Sequence, residues 1–185
     1  MIHEVVMAGF GGQGIMAIGK ILAKAGLKEK RNVSWFPSYG PEMRGGTASC
    51  SVVIADELVG SPVVTEATEA IVMNTPSYAK FEKKVMRDGK LFVNSSLVQE
   101  KSTRDDIKVY YVPANDIAKE IGNPKIANMV MLGAFLAATN ATSDKTVINV
   151  VSEIFGTKKA FSITNNEEAL SRGAACVLHE SVAAN

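Results

Sequence analysis

Near its start the chain carries a short apolar run, Val5 to Gly9 in "IHEVVMAGF", which predicts a buried strand. A glycine-rich turn follows, and then Ile15, Ile18, Ile21, Leu22 and Ala25 recur at helical spacing up to a stop at Gly26. "NVSWFPSYG" predicts a second strand that ends at Pro41. "TASCSVVIAD" alternates as a third, with "ELVGSP" as its antiparallel hairpin partner. "EAIVMN" and "LFVNSS" are short apolar runs on either side of the helix-like "TPSYAKFEKKVMRDG", where Pro76 marks a helix start and Gly89 its end. "IKVYYVPAN" supplies a further strand, and helices are predicted from Asp116, Ile126 and Ser143, with a last one from about Asn165 to His179.

Strands that alternate with helices imply a parallel sheet covered on both faces. The expected fold is therefore α/β, a three-layer α/β/α sandwich. Its Rossmann-like sheet is mostly parallel and is made mixed by the strand pair around Thr47 to Gly60. No repeat, linker or charge block divides the 185 residues, so residues 1–185 read as a single domain, and "NATSDKT" is a helix–helix loop.

Hydrophobic residues make up 46% of the chain and charged residues 21%, which excludes disorder as the main state. A net charge of +1 provides no global field for nucleic acid or an anionic membrane, so any anion site must be local. The apolar run "IANMVMLGAFLAA" is shorter than the ~20 residues a membrane span needs. The N-terminal residues lack the basic and apolar regions of a signal peptide, which points to the cytoplasm. Cys50 and Cys176 are far apart and form no Cys-x-x-Cys pair, so the chain is expected to hold neither zinc nor an iron–sulfur cluster. Both read as small buried residues. His3 and His179 are the only histidines, too little material for a Ser/His/Asp or Cys/His constellation.

Two glycine loops carry the chemistry. In "GFGGQG", Gly9, Gly11 and Gly14 have dinucleotide spacing and Gly12 adds freedom for positive φ; a strand feeding a helix this way offers backbone N–H groups to an anion. Dinucleotide sites also need an acidic residue at the end of the second strand, some 20 residues on. Glu29 lies too early for that role and Glu42 too late. This disfavours NAD and leaves two readings open, another phosphate or anion contact and a close-packed turn. Gln13 either donates its amide to a ligand or caps the turn. The second loop, "PSYGPEMRGGTASC", puts Arg44 beside Gly45 and Gly46, whose N–H groups could form an anion nest. If the second strand lies next to the first, this loop emerges at the same sheet edge as Gly9 to Gly14; otherwise it merely turns the chain, with Arg44 solvated. Asn128 interrupts an apolar helix and favours a structural hydrogen bond. Gly133, Ala134, Ala137 and Ala138, with Met129 and Met131, form a face that is either core or interface. The basic residues of "YAKFEKKVMRDGK" read as a solvated helix face.

"GFGGQGIMAIGKILAKAG", "SYGPEMRGGTASC" and "GNPKIANMVMLGAF", in that order, resemble the gamma subunit of 2-oxoacid:ferredoxin oxidoreductases, most of all the 2-oxoglutarate-type members. The resemblance implies CoA-dependent oxidative decarboxylation of a 2-oxoacid to acyl-CoA, carbon dioxide and reduced ferredoxin. It also implies that thiamine diphosphate, magnesium and iron–sulfur clusters sit on alpha, beta and ferredoxin-like delta partners, with this chain inactive alone. On that basis Gly9, Gly11, Gly12, Gln13 and Gly14 are expected to form one rim with Tyr39, Glu42, Arg44, Gly45 and Gly46. The rim would bind coenzyme A or close over the partners' thiamine site. Arg44 would neutralise a phosphate or carboxylate, the glycines would donate N–H groups, and Gln13 and Glu42 would orient the loops. The alternatives are a free-standing Rossmann-type nucleotide-binding protein and a purely structural assembly subunit.

Overall fold

The computed structural model describes residues 1–39, 47–155 and 160–183. Along the chain come β1 (Ile2–Phe10), α1 (Ile15–Lys28), β2 (Asn32–Tyr39), β3 (Thr47–Ala55), β4 (Ala67–Val72), α2 (Thr75–Phe81), β5 (Val85–Asn94) and β6 (Lys108–Val112). Then follow α3 (Ala114–Glu120), α4 (Ala127–Thr139), α5 (Asp144–Phe155) and α6 (Ala160–Ala183). The six strands form one sheet in the order β2-β3-β1-β4-β5-β6. β1, β4, β5 and β6 run parallel, while β3 is antiparallel to both of its neighbours, so β2 points the same way as β1.

Two local expectations are corrected. β3 does not pair with "ELVGSP"; it is inserted between β1 and β2, and residues 57–62 form no strand. Val52 to Ala55 are all buried, which suits an interior strand, whereas Gly60 and Pro62 are poor material for a ladder. The second helix also ends early. α2 stops at Phe81, a single 3-10 turn covers Glu82–Lys84, and Gly89 lies inside β5 instead of closing a helix. There the register with β4 shifts between Ala67 and Glu69, and a side chain on Gly89 would sit 2.8 Å from the carbonyl oxygens of Met86 and Thr68. The apolar triplet Leu91-Phe92-Val93 decides the outcome, because its pairing with Ala70, Ile71 and Val72 extends strand geometry back through the bulge.

Alternation along the strands creates two apolar faces. On one, Met7, Ile71, Phe92 and Tyr110 meet Ile18 and Leu22 of α1, Val130 and Phe135 of α4, Val147 of α5 and Leu170 of α6. Phe92 stacks on Tyr110 with centroids 5.0 Å apart and meets Phe135 edge-on at 5.7 Å. On the other face Val6, Ala70, Val72, Leu91 and Val93 are covered by Tyr78 and Phe81 of α2 and by Val64, Val98 and Ile107 from connecting segments. The layers are therefore three, with one outer layer thin.

Every residue of α4 from Ala127 to Leu136 is buried, the state expected of a helix that is apolar all round. A Cβ on Gly133 would collide with the backbone of Leu170, and one on Gly173 with the carbonyl of Val130. The small-residue face of α4 is thus core, packed backbone to backbone on α6. Among the described residues no helix is long and apolar enough to cross a membrane.

Candidate functional site

The chain leaves β1 through α1 on one face of the sheet and leaves β4 through α2 on the other. Since β1 and β4 are parallel neighbours, their carboxyl ends mark the point where open α/β sheets place ligands. The glycine turn lies there. Gly12 and Gly14 adopt φ of +97° and +75°, values that only glycine takes readily. Gly14 is the N-cap of α1 and provides no side-chain cap, and the first turn carries no acidic residue. The N–H groups of Ile15, Met16 and Ala17 thus lack intrahelical partners, as in any first turn, and no acidic side chain of that turn offsets the positive end of the helix dipole. Among the described residues Gly11, Gly12 and Gly14 likewise have no partner for their N–H groups.

Gln13 holds this turn. Its Nα–H donates to the carbonyl of Phe10 at 3.1 Å, and its Oε1 accepts from Phe10 N–H at 2.6 Å and from Asn74 Nδ2 at 3.0 Å. Its Nε2 donates to the carbonyl of Met73 at 3.3 Å. Of the two sequence readings of Gln13 the structure shows the cap: the oxygen holds the turn, and the amide nitrogen donates to the carbonyl at the end of β4. Gly9 is glycine for space, because a Cβ there would lie 2.7 Å from Gln13 Oε1 and 3.0 Å from Met73 Cβ. Asn128 makes the expected structural bond, Nδ2 donating to the carbonyl of Gly14 at 3.2 Å, and its Oδ1 accepts from Met129 N–H at 3.0 Å. It anchors α4 to the turn.

The second loop springs from the same edge, although not by the expected pairing. β3 separates β2 from β1, yet Tyr39 and Gly9 both lie opposite Ala48, and Phe10 lies opposite Thr47. The two ends of the loop therefore stand beside the glycine turn, Tyr39 about 10 Å away across two strand spacings. Glu42, Arg44, Gly45 and Gly46 lie outside the described residues, as does the side chain of Tyr39. The inserted strand also gives a physical reason against a dinucleotide: the end of β2, where a ribose-binding acid would sit, is not adjacent to β1.

Sequence reasoning missed a set of asparagines. Asn74, Asn94 and Asn115 each stand at or just past the carboxyl end of a parallel strand. Asn74 Oδ1 caps α2 through Ser77 N–H at 2.9 Å, and Asn94 Nδ2 donates to the carbonyl of Met73 at 3.3 Å and to Asn115 Oδ1 at 2.7 Å. A row of amides thus runs from Gln13 across the ends of β4, β5 and β6. The signal was present in "IVMN", "LFVN" and "VPAN", three apolar runs that each close on Asn. A crevice of about 220 Å³ opens beside this row, lined by Gly12, Gln13, Met73, Asn115, Pro124, Lys125 and Ala127.

The remaining candidates are elsewhere. His3 is buried at the opposite end of β1, with Nδ1 3.1 Å from Glu69 Oε1. The side chain of His179 lies outside the described residues. Cys50 is 1% exposed against Ile15 and Gly19, and burial pushes its thiol up to about 12 even though a hydrogen bond involving Trp35 acts in the other direction, so it is no nucleophile at neutral pH. Among the described residues no group of three or more His, Cys, Asp or Glu side chains is placed to hold a metal ion.

Against known proteins, the profile of the pyruvate ferredoxin/flavodoxin oxidoreductase family matches residues 4–176. Ketoisovalerate oxidoreductase subunit VorA of Methanothermobacter marburgensis is 44% identical over 134 residues, covering 72% of this chain and 28% of that one. The chain thus spans little more than a quarter of that relative's length. The 2-oxoglutarate synthase subunit KorC of Methanocaldococcus jannaschii is 36% identical over 150 residues, 80% of either chain. Among solved structures, the 2-oxoglutarate:ferredoxin oxidoreductase of Magnetococcus marinus with 2-oxoglutarate, coenzyme A and succinyl-CoA bound superposes with a TM-score of 0.89. It is 25% identical, and the match covers 96% of this chain and 31% of that one.

Proposed function

We propose that this chain, which belongs to the pyruvate ferredoxin/flavodoxin oxidoreductase family, works as the gamma-type subunit of a 2-oxoacid:ferredoxin oxidoreductase of the 2-oxoglutarate type. Residues 1–185 form its single gamma-type domain. The complex, placed in the cytoplasm, converts a 2-oxoacid and coenzyme A to acyl-CoA and carbon dioxide and passes electrons to ferredoxin. Thiamine diphosphate, magnesium and the iron–sulfur clusters reside on alpha, beta and ferredoxin-like delta partners. This chain does not turn over by itself.

One observation carries the reading for the chain's own residues. A helix N-terminus without a side-chain cap, glycine N–H groups that have no partner among the described residues, and Tyr39 and Thr47, which flank the second loop, share one sheet edge, with no acidic side chain in the first turn of α1. That donor set suits the phosphates of coenzyme A, the ligand named for the Magnetococcus enzyme. Coenzyme A supplies the thiol that accepts the acyl group. The glycine turn, Gly9 to Gly14, and the loop residues Tyr39, Glu42, Arg44, Gly45 and Gly46 hold and orient it at the boundary with the partner subunits. Arg44→Ala in the assembled complex tests this: the apparent KM for coenzyme A should rise. An unchanged KM with unchanged turnover refutes the rim, and altered assembly with normal kinetics assigns the loop to docking alone. Turnover with 2-oxoglutarate, pyruvate and 2-ketoisovalerate decides the substrate.

A further inference from the structure

The edge of the sheet opposite the glycine turn has a different character. β1, β4 and β5 start there, β3 ends there with Ala55 opposite Ile2, and residues 56–66 run between β3 and β4. Four large apolar side chains lie exposed along it, Ile2, Leu58, Val63 and Met86, with Leu58 90% exposed. Single apolar groups scattered over a surface need no explanation, but several gathered at one end, around crevices, mark an association surface. Two crevices open there. One of about 310 Å³ is lined by Met1, Ile2, Ala55, Glu57 and Leu58. The other, of about 520 Å³, is lined by Glu66, Lys83, Val85, Met86, Arg87 and Arg104.

The larger crevice carries charges of both signs that are not spent on each other. Arg104 is already satisfied. Its Nε and Nη2 donate to Asp106 Oδ1 and Oδ2 at 2.8 and 2.6 Å, and its Nη1 donates to the carbonyls of Glu82 and Val85 at 2.9 and 2.7 Å. These bonds clamp the segment before β6 onto the start of β5 and make Arg104 part of the wall. Glu66, Lys83 and Arg87 are different. All three are exposed, and among the described residues none forms an ion pair; Arg87 acts on Asp106 only through space. A free carboxylate among the cations makes the crevice a poor host for a small anion. Unpaired charges of both signs match a surface on which the signs are exchanged. A twofold axis supplies that surface, because residue i then faces j while j faces i. The net charge of +1 opposes such self-association very little.

We propose that this end of the sheet is the contact between two copies of the chain related by a twofold axis, with Glu66 of each copy facing Lys83 and Arg87 of the other. Ile2, Leu58, Val63 and Met86 supply the apolar area, and the charges at the rim set the register. β1 is nine residues long, so each glycine turn stands about 30 Å from the contact and stays open to ligand and to other subunits. The inference goes beyond the functional reading above and does not rest on it.

Sedimentation equilibrium of the full chain tests this. At about 50 µM protein the wild type should be dimeric in about 50 mM salt, and its dissociation constant should rise several-fold in about 500 mM salt. Glu66→Lys makes the free charges of the crevice all positive, and Lys83→Glu/Arg87→Glu makes them all negative. Each variant should therefore dissociate at least about tenfold more readily than wild type. Mixed in equal amounts, the two variants should recover wild-type affinity as a mixed dimer, identified by native mass spectrometry. Met86→Ser should weaken the dimer about equally at both salt concentrations. Circular-dichroism melts within a few degrees of wild type show that these exposed substitutions leave the fold intact. A wild-type chain that stays monomeric overturns the proposal, as do charge variants that associate like wild type and a mixture that forms no mixed dimer. If either charge variant loses another subunit from the assembled complex while its self-association is unchanged, the face belongs to that subunit and the twofold contact is overturned.

Discussion

Gly12 and Gly14 form a matched pair for measuring what the turn requires. Both have positive φ, so alanine at either is strained by about 1–2 kcal/mol. Their surroundings differ. A Cβ on Gly12 meets nothing within 4 Å, whereas one on Gly14 overlaps the side-chain amide of Asn128. To make room Asn128 must give up its bond to the Gly14 carbonyl at 3.2 Å and its contact with Met129 N–H at 3.0 Å. Two such bonds add about 1–3 kcal/mol. Gly14→Ala is therefore expected to cost about 2–5 kcal/mol and Gly12→Ala about 1–2. In a chain of this length each kcal/mol lowers Tm by about 2–4 °C, so thermal melts and urea titrations of the purified chain resolve the two. The double variant Gly14→Ala/Asn128→Ala removes the overlap, so its cost should fall short of the sum of the single costs by about 1–3 kcal/mol. Two results would refute the reasoning: Gly14→Ala no worse than Gly12→Ala, or strict additivity in the double variant.

Gln13→Met keeps the side-chain length but leaves Phe10 N–H and Asn74 Nδ2 without their acceptor, and urea unfolding should show a loss of about 2–4 kcal/mol. Gln13→Glu retains the acceptor for Phe10 and Asn74 but sets a carboxylate oxygen against the Met73 carbonyl where Nε2 donated, so it should lose about 1–3 kcal/mol and also weaken the assembled complex for coenzyme A by putting negative charge beside the glycine turn. Gly173→Ala forces apart the contact of α6 with the Val130 carbonyl; a circular-dichroism melt should report about 1–3 kcal/mol or more of destabilisation. Burial raises the Cys50 thiol from 9.0 to about 12, so the folded chain keeps a proton that the unfolded chain releases. The stability it contributes is complete below pH 9.0 and is lost as the pH climbs toward about 12, with a slope of up to about 1.4 kcal/mol per unit. Urea midpoints at pH 8 and 10.5 should therefore differ less in Cys50→Ala than in wild type, and equal slopes would contradict this assignment.

What the sequence determined by itself was local. The run Val5–Gly9, the glycines after it and the 3.6-residue spacing of Ile15, Ile18 and Leu22 require a strand, a turn and a helix, because backbone sterics and one-sided burial leave few other solutions. The apolar Ala127–Leu136 stretch had to be a buried helix for the same reason. Tertiary structure decided what depends on partners distant in sequence. It inserted β3 between β1 and β2, because a strand buried on both faces is more stable in the interior of a sheet than in a hairpin with "ELVGSP". It drew Val85–Gly89 from helix into strand through pairing with β4. It also turned three asparagines, 20 and 21 residues apart along the chain, into one row at the ends of parallel strands, where a polar group finds partners only after the sheet has formed. Each Asn closes its own apolar run in the sequence, but the direction in which its amide points is set by carbonyls and N–H groups that only the assembled sheet brings within reach.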